Sequence, residues 1–333
     1  MKKLCCAKPR VDRLVTSGSP ERARMVAIHS KLWASGSKLR FHIQQSRALN
    51  AEDQAVIRES FKTWNGIVGL DLSETSNMLE AHFRIGFEND GSWSYVGRDN
   101  LGIAMNEKTM NFGWSLDDDP DTALHEIGHA LGMSHEHQNP RSGIEWNRAA
   151  VIANLSAPPN SWSAAQIENN VFRKLPANTE GSDWDPNSIM EYPFDAGMIN
   201  SPPGFANGLS PHPGLSVLDI AWAGNMYPPL DPQAEDLGLG EIRVVILKPG
   251  GQASLSFVPP LTYVYSFTTA GKNDTVLTLF NDNGEFVAGD DDGGTDKNAK
   301  IDLRLMAGIR YTLRVRLFWS DAGGQIPITV SRA

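Results

Sequence analysis

The chain has 333 residues, 41% hydrophobic and 21% charged. That balance supplies a core, excludes a wholly disordered chain and, at this length, predicts two domains. Thirty Lys and Arg against 39 Asp and Glu give a net charge of −9, which argues against nucleic-acid binding through clustered positive charge, and no apolar run reaches the roughly 18 residues a membrane span needs.

The two cysteines, Cys5 and Cys6, are adjacent, so no intrachain disulfide framework is expected. Residues 1–6 open on two lysines with no apolar stretch behind them, so no secretory or lipoprotein signal is read. Residues 1–36 are Ser-, Arg- and Lys-rich and read as a flexible leader or pro-segment. Residues 39–43 alternate as a half-buried strand. Asn50 then caps a helix predicted over 51–64, with Val56, Ile57, Phe61 and Trp64 at helical spacing and Gly66 at its end. Further strands are expected near 69–72, 82–87 and 102–106.

Asp117, Asp118, Asp119, Pro120 and Asp121 mark the start of a second helix, predicted from about 120 to 131. Gly132 sits where a left-handed residue ends such a helix. Residues 138–213 read mostly as loops. A last helix opens on Ser216 to Asp219, a capping-box-like start, and stops before Tyr227 and Pro228. Proline-rich sequence then leads into a linker, taken as 231–240. From 241 to 333 the pattern is all-β: Tyr311, Leu313, Val315 and Leu317 alternate with polar residues, Asn283-Gly284 marks a hairpin, and seven or eight short strands predict a β-sandwich. The fold class is therefore α+β, followed by an all-β sandwich domain.

The second helix carries His125-Glu126-Ile127-Gly128-His129, continued by Ala130-Leu131-Gly132-Met133-Ser134-His135. His125 and His129 are four apart and leave one face of the helix. Gly132 permits the positive φ that returns His135 to the same ion. Three imidazoles suit one Zn²⁺ and leave a fourth position for water, the arrangement of a catalytic site. Glu126, beside the first ligand, is placed to take a proton from that water and pass it to a leaving amine.

This run resembles the zinc signature of the metzincin metallopeptidases, and Ser188-Ile189-Met190-Glu191-Tyr192 resembles their Met-turn. The continuation Glu136-His137 and the segment Gly91-Ser92-Trp93-Ser94-Tyr95-Val96-Gly97 resemble the astacin branch. The resemblance implies a twisted mixed sheet with an active-site helix over residues 37–230. It implies zinc held by His125, His129 and His135, with Glu126 as general base and acid and Met190 as a floor under the metal. It also implies that Tyr192 is a switchable ligand that turns to the oxyanion, and that residues 102–106 form the edge strand that pairs with substrate. Ser92 stands where the family usually has Cys, and Glu191 where it often has His. The substrates implied are proteins or peptides and the site of action extracellular; with no signal peptide read, a cytosolic location or export by another route stands as the alternative, and a monomer is favoured.

The segments 274–280 and 289–294 resemble the bacterial pre-peptidase C-terminal domain, which implies an accessory role. Asp290, Asp291 and Asp292 could coordinate Ca²⁺, with a solvated acidic loop as the equal alternative. His137 reads as structural, and Cys5 and Cys6 as terminal thiols rather than a zinc-binding latency switch. The alternative from another class is a catalytically silent adhesion protein that uses the C-terminal sandwich.

Overall fold

The structure, a computed structural model, describes residues 4, 6–8, 31–45, 50–176, 183–228, 234–318 and 322–333. Cα proximity divides the chain into two compact units. The first takes in Met1–Trp33, Leu39–Gly66 and Leu72–Trp222; the second takes in Ala34–Lys38, Ile67–Asp71 and Ala223–Ala333.

The first unit is built on a six-stranded mixed sheet of β1 (Cys6–Lys8), β2 (Lys38–Ile43), β3 (Asp71–Glu74), β4 (Phe83–Gly86), β5 (Trp93–Tyr95) and β6 (Met110–Asn111), in the order β1-β5-β6-β4-β2-β3. Strand β4 runs parallel to both β2 and β6, and β5 is antiparallel to β6. Helix α1 (Ala51–Asn65) starts where the Asn50 side chain accepts from Asp53 N at 2.6 Å. It buries Ile57, Phe61 and Trp64. Phe61 stacks on Phe41 of β2 with ring centroids 3.9 Å apart, and Trp64 Nε1 donates to Leu124 O of α2 (Asp121–Ala130) at 3.0 Å. Helix α2 is thereby fixed against a helix that is itself fixed to the sheet.

Residues expected to be mostly loop hold α3 (Arg148–Leu155), α4 (Ala164–Ile167), a π-helical turn (Glu168–Phe172) and a short pair of strands, β7 (Glu145–Trp146) and β8 (Ile199–Ser201). Ser163 and Gln166 form a capping box at α4, a signal carried by side chains rather than by apolar period. Helix α5 (Val217–Met226) follows the expected reciprocal start: Ser216 N donates to Asp219 Oδ2 and Asp219 N to Ser216 Oγ, both at 2.9 Å.

The second unit is a β-sandwich. One sheet has the order β10-β17-β12-β15, the other β14-β13-β16-β11-β9. The strands are β9 (Glu235–Asp236), β10 (Ile242–Leu247), β11 (Gln252–Phe257), β12 (Tyr263–Thr269), β13 (Thr275–Phe280), β14 (Phe286–Asp290), β15 (Lys300–Leu305), β16 (Tyr311–Leu317) and β17 (Gly324–Arg332). Alternate residues face inward, and Phe267, Leu277, Leu313, Val315, Ile326 and Ile328 form its core. Part of the segment expected as linker belongs here, because β9 pairs in parallel with β11 and Leu237 is buried among the core residues.

Candidate metal centre and active site

Helix α2 begins on Pro120, with Thr122 Oγ1 bonded to Asp119 Oδ2 at 3.0 Å. It ends through a pair of reversed hydrogen bonds, Gly132 N to His129 O (2.8 Å) and Met133 N to Gly128 O (3.0 Å). Gly132 has φ +99°, the left-handed conformation that this C-terminal motif requires. The turn brings His135 back to the face carrying His125 and His129. Ring centroids lie 4.7 Å apart for His125 and His129, 4.6 Å for His129 and His135, and 5.4 Å for His125 and His135.

The imidazoles present donor atoms all within 4.8 Å of one another. His125 Nδ1 donates to Ile189 O at 2.7 Å and His129 Nδ1 to Met133 O at 2.8 Å. Both rings are thus held in the tautomer whose Nε2 carries a lone pair. His125 Nε2 is buried with no hydrogen-bond partner, and the Nε2 atoms of His129 and His135 stand 3.0 Å apart. Tetrahedral zinc with Zn–N bonds near 2.0–2.1 Å sets its nitrogen ligands about 3.3 Å apart, so the three residues fit such an ion. Burial pushes all three pKa values down, His125 to about 4 and the other two well below the usual imidazole range, and the neighbouring histidines add to the effect. Neutral imidazole is the form that binds metal.

Glu126 follows His125 on the helix and is fully buried. Met190 lies beneath the helix, where an ideal Cβ on Gly128 would approach its Sδ to 2.5 Å. The turn containing Met190 is held from several sides. Glu191 N donates to Ser188 O at 3.0 Å, Met190 N to Ser188 Oγ at 3.0 Å, and Glu136 N to Met190 O at 2.9 Å. Asp219 at the start of α5 accepts from Ser188 Oγ at 2.6 Å and Ile189 N at 2.7 Å. Since Ile189 O receives the His125 proton, Asp219 braces the residue that orients a metal-facing imidazole. Its capping-box position was visible in the sequence; this second role was not.

Tyr192 is buried with its ring 4.3 Å from that of His135 and 5.7 Å from that of His125. The expected site residues His125, Glu126, His129, His135, Met190 and Tyr192 are thus gathered in one region of the first unit. His137, expected as structural, is fully buried, with its ring 5.1 Å from that of His135.

Residues 102–106 do not form the expected strand. Gly97–Gly102 is a 3₁₀ helix, and turns lead from there to β6. Strand β5 is antiparallel to β6, and its other edge is paired in parallel with β1, Cys6 opposite Trp93 and Lys8 opposite Tyr95. The expected leader is therefore structured at these residues. Cys5 lies outside the described residues. Among the described residues, the three histidines are the group of His, Cys, Asp and Glu side chains that converges as a metal site. In the 290–292 loop, Asp290 Oδ2 accepts from Gly293 N and Lys300 N, each at 2.7 Å.

The family model described as Astacin, a peptidase family, matches residues 25–201. Tolloid-like protein 1 of Mus musculus is 27% identical over 187 residues, covering 52% of this chain and 17% of that protein. The chain spans between 17% and 25% of the length of the curated relatives it matches. Among solved structures, myroilysin aligns with 28% identity and a TM-score of 0.55 over 60% of this chain and 97% of its own. The pre-peptidase C-terminal domain of a Bacillus anthracis collagenase aligns with 29% of this chain and 94% of its own, at 13% identity and a TM-score of 0.26.

Proposed function

This chain belongs to the astacin family of peptidases, and we propose that it is a zinc-dependent endopeptidase whose metal is held by His125, His129 and His135. The observation that carries this is the convergence of three buried imidazoles, two of them held by carbonyl acceptors in the tautomer whose Nε2 carries a lone pair. When bound, zinc supplies Lewis acidity toward the scissile carbonyl and lowers the pKa of water.

Glu126 takes the proton from the attacking water and delivers it to the departing amine nitrogen as the C–N bond breaks. Its burial on the helix that carries His125 and His129, beside the first of them in sequence, supports this role. The Tyr192 hydroxyl donates a hydrogen bond to the carbonyl oxygen as it gains negative charge. The packing of the Tyr192 ring against His135 supports that placement. Peptide as substrate is supported by β5, whose outer edge already accepts an extended backbone from Cys6–Lys8.

We assign the chemistry to residues 37–230 and an accessory role to the sandwich, with the protein acting as a monomer outside the cell. Ca²⁺ at the 290–292 loop rests on its charge: the Asp291 carboxyl is pushed up by burial and by Asp292, Asp290 and Asp274, a repulsion that a cation relieves. A rise in melting temperature on adding CaCl₂ tests it. The main reading is tested by casein and gelatin hydrolysis with and without 1,10-phenanthroline. Chelator-sensitive cleavage, restored by zinc, is the expected result. Chelator-insensitive cleavage, or no cleavage of these proteins or of a peptide library by the zinc-loaded protein, would refute it.

A further inference from the structure

A buried network outside the metal-binding motif surrounds Tyr192. The side chains of Glu191 and His137 are wholly buried. Glu191 Oε1 accepts from Tyr192 N at 2.9 Å and faces His137 Nδ1 at 3.2 Å, while Oε2 accepts from Trp184 Nε1 at 2.8 Å. His137 Nε2 lies 2.7 Å from Asn170 O. A carbonyl can only accept, so Nε2 carries hydrogen and Nδ1 is the atom left for Glu191. The His137 ring in turn lies 4.8 Å from the Tyr192 ring and 5.1 Å from the His135 ring.

One carboxylate thus joins three stretches far apart in sequence: the turn Glu136–Gln138, the loop at Trp184, and the turn that carries Met190 and Tyr192. A buried carboxylate is costly to desolvate, and an apolar side chain of similar size could fill the space. What an apolar side chain could not do is fix the directions of two N–H donors, Tyr192 N and Trp184 Nε1, while holding the His137 ring beside them.

We propose that Glu191 is a positioning residue for peptide hydrolysis: through His137, Trp184 and the Tyr192 amide it sets the Tyr192 ring against His135. This rests on the reading of Tyr192 as donor to the oxyanion. Gln at this position keeps the size and one acceptor but turns an amide NH₂ toward an N–H donor, either Trp184 Nε1 or Tyr192 N. Removing the Trp184 donor relieves that conflict.

The test is a mutant cycle read by kcat, KM, circular dichroism and zinc affinity in a chelator competition. Glu191→Gln is expected to lower kcat about tenfold with KM within about twofold and, through the His137 ring that stacks on His135, to weaken zinc binding severalfold. Adding Trp184→Phe is expected to restore much of both. In a Tyr192→Phe background, Glu191→Gln is expected to lower kcat by less than about twofold further.

Unchanged kcat in folded Glu191→Gln, or losses that simply multiply in the double variant, would overturn the proposal. If Tyr192→Phe alone leaves kcat intact, the reading of Tyr192 has failed. The zinc arm then decides for Glu191, with weakened zinc binding supporting it and unchanged binding overturning it. If Glu191→Gln does not fold, Trp184→Phe alone carries the test: a severalfold loss of kcat at constant KM supports the proposal, and wild-type kinetics overturns it.

Discussion

The sulfur of Met190 rests against the backbone of Gly128, close enough that a Cβ at residue 128 would stand 2.5 Å from it. The helix bearing two of the three histidines and the turn bearing Tyr192 therefore touch through the Met190 side chain, which must shift to admit any larger residue at 128. Gly in a helix interior costs about 1 kcal/mol relative to Ala, so its presence between His125 and His129 has a packing reason.

Gly128→Ala gains helix propensity but displaces the buried Met190 side chain, and a net loss of about 1 kcal/mol is expected, at the low end of what overpacking a core costs. Denaturant unfolding of Gly128→Ala, and of Gly128→Ala with Met190→Ala, checks this. The double variant removes the clashing sulfur and should recover part of the loss.

Metal-free protein should lose stability in acid over a defined window. An imidazole in the unfolded chain takes up its proton near pH 6.5. Burial, outweighing the bond to Ile189 O, holds His125 neutral down to about 4, and His129 and His135 are lowered as well. The unfolded state therefore binds more protons, and stability falls as pH drops from about 6.5 toward 4, by about 3 kcal/mol for His125 alone. Melting curves of chelator-treated protein between pH 4 and 8 measure this, and His125→Gln should flatten the slope.

Glu136 acts in the opposite sense. Burial raises its carboxyl to about 7, with Glu191 and Asp219 adding to the effect against the bonds from Asn139 and Asp185 N. Its contribution is complete below the unfolded value near 4.3 and is lost as pH rises through 7. Glu136→Gln can still accept from Asn139 Nδ2 and Asp185 N. It is expected to stabilise the protein by about 1 kcal/mol at pH 8 and to make no difference at pH 4. Paired melts at the two pH values check the sign.

Asp219→Asn should loosen the Met190 turn. The carboxylate accepts from Ser188 Oγ, Ile189 N and Ser216 N, and charge-assisted bonds of this kind contribute about 1.5–3 kcal/mol each. An amide keeps one acceptor oxygen and turns its NH₂ either toward the two backbone N–H donors or toward Ser188 Oγ, which already accepts from Met190 N. A loss of about 2 kcal/mol is expected, with weaker zinc binding in chelator competition, because Ile189 O orients His125.

The ligand set was legible because it is local. Helical period places His125 and His129 on one face, and the positive φ of Gly132 is what a glycine at that point announces. The sandwich was legible because inward and outward residues alternate, as in β16, where Tyr311, Leu313, Val315 and Leu317 are buried. Residues 102–106 misled because Ile103 and Met105 alternate like a strand. Their segment instead follows a turn held by Asn100 Nδ2 bonding Gly97 O and Tyr95 O, and the Arg84 guanidinium takes the carbonyls of Ile103 and Ala104. Carbonyls used by a side chain are not available to a ladder. Glu191 and Asp219 were illegible for another reason: their partners His137 and Ser188 lie 54 and 31 residues away, and no local period encodes such pairings.

The most direct measurement is turnover of a casein or peptide substrate by Glu126→Ala, with zinc content determined on the same sample. The account predicts one zinc per chain, as in the wild type, and a loss of kcat of at least about a thousandfold, in the range seen when a catalytic group is removed. Full activity of the zinc-loaded variant would contradict it.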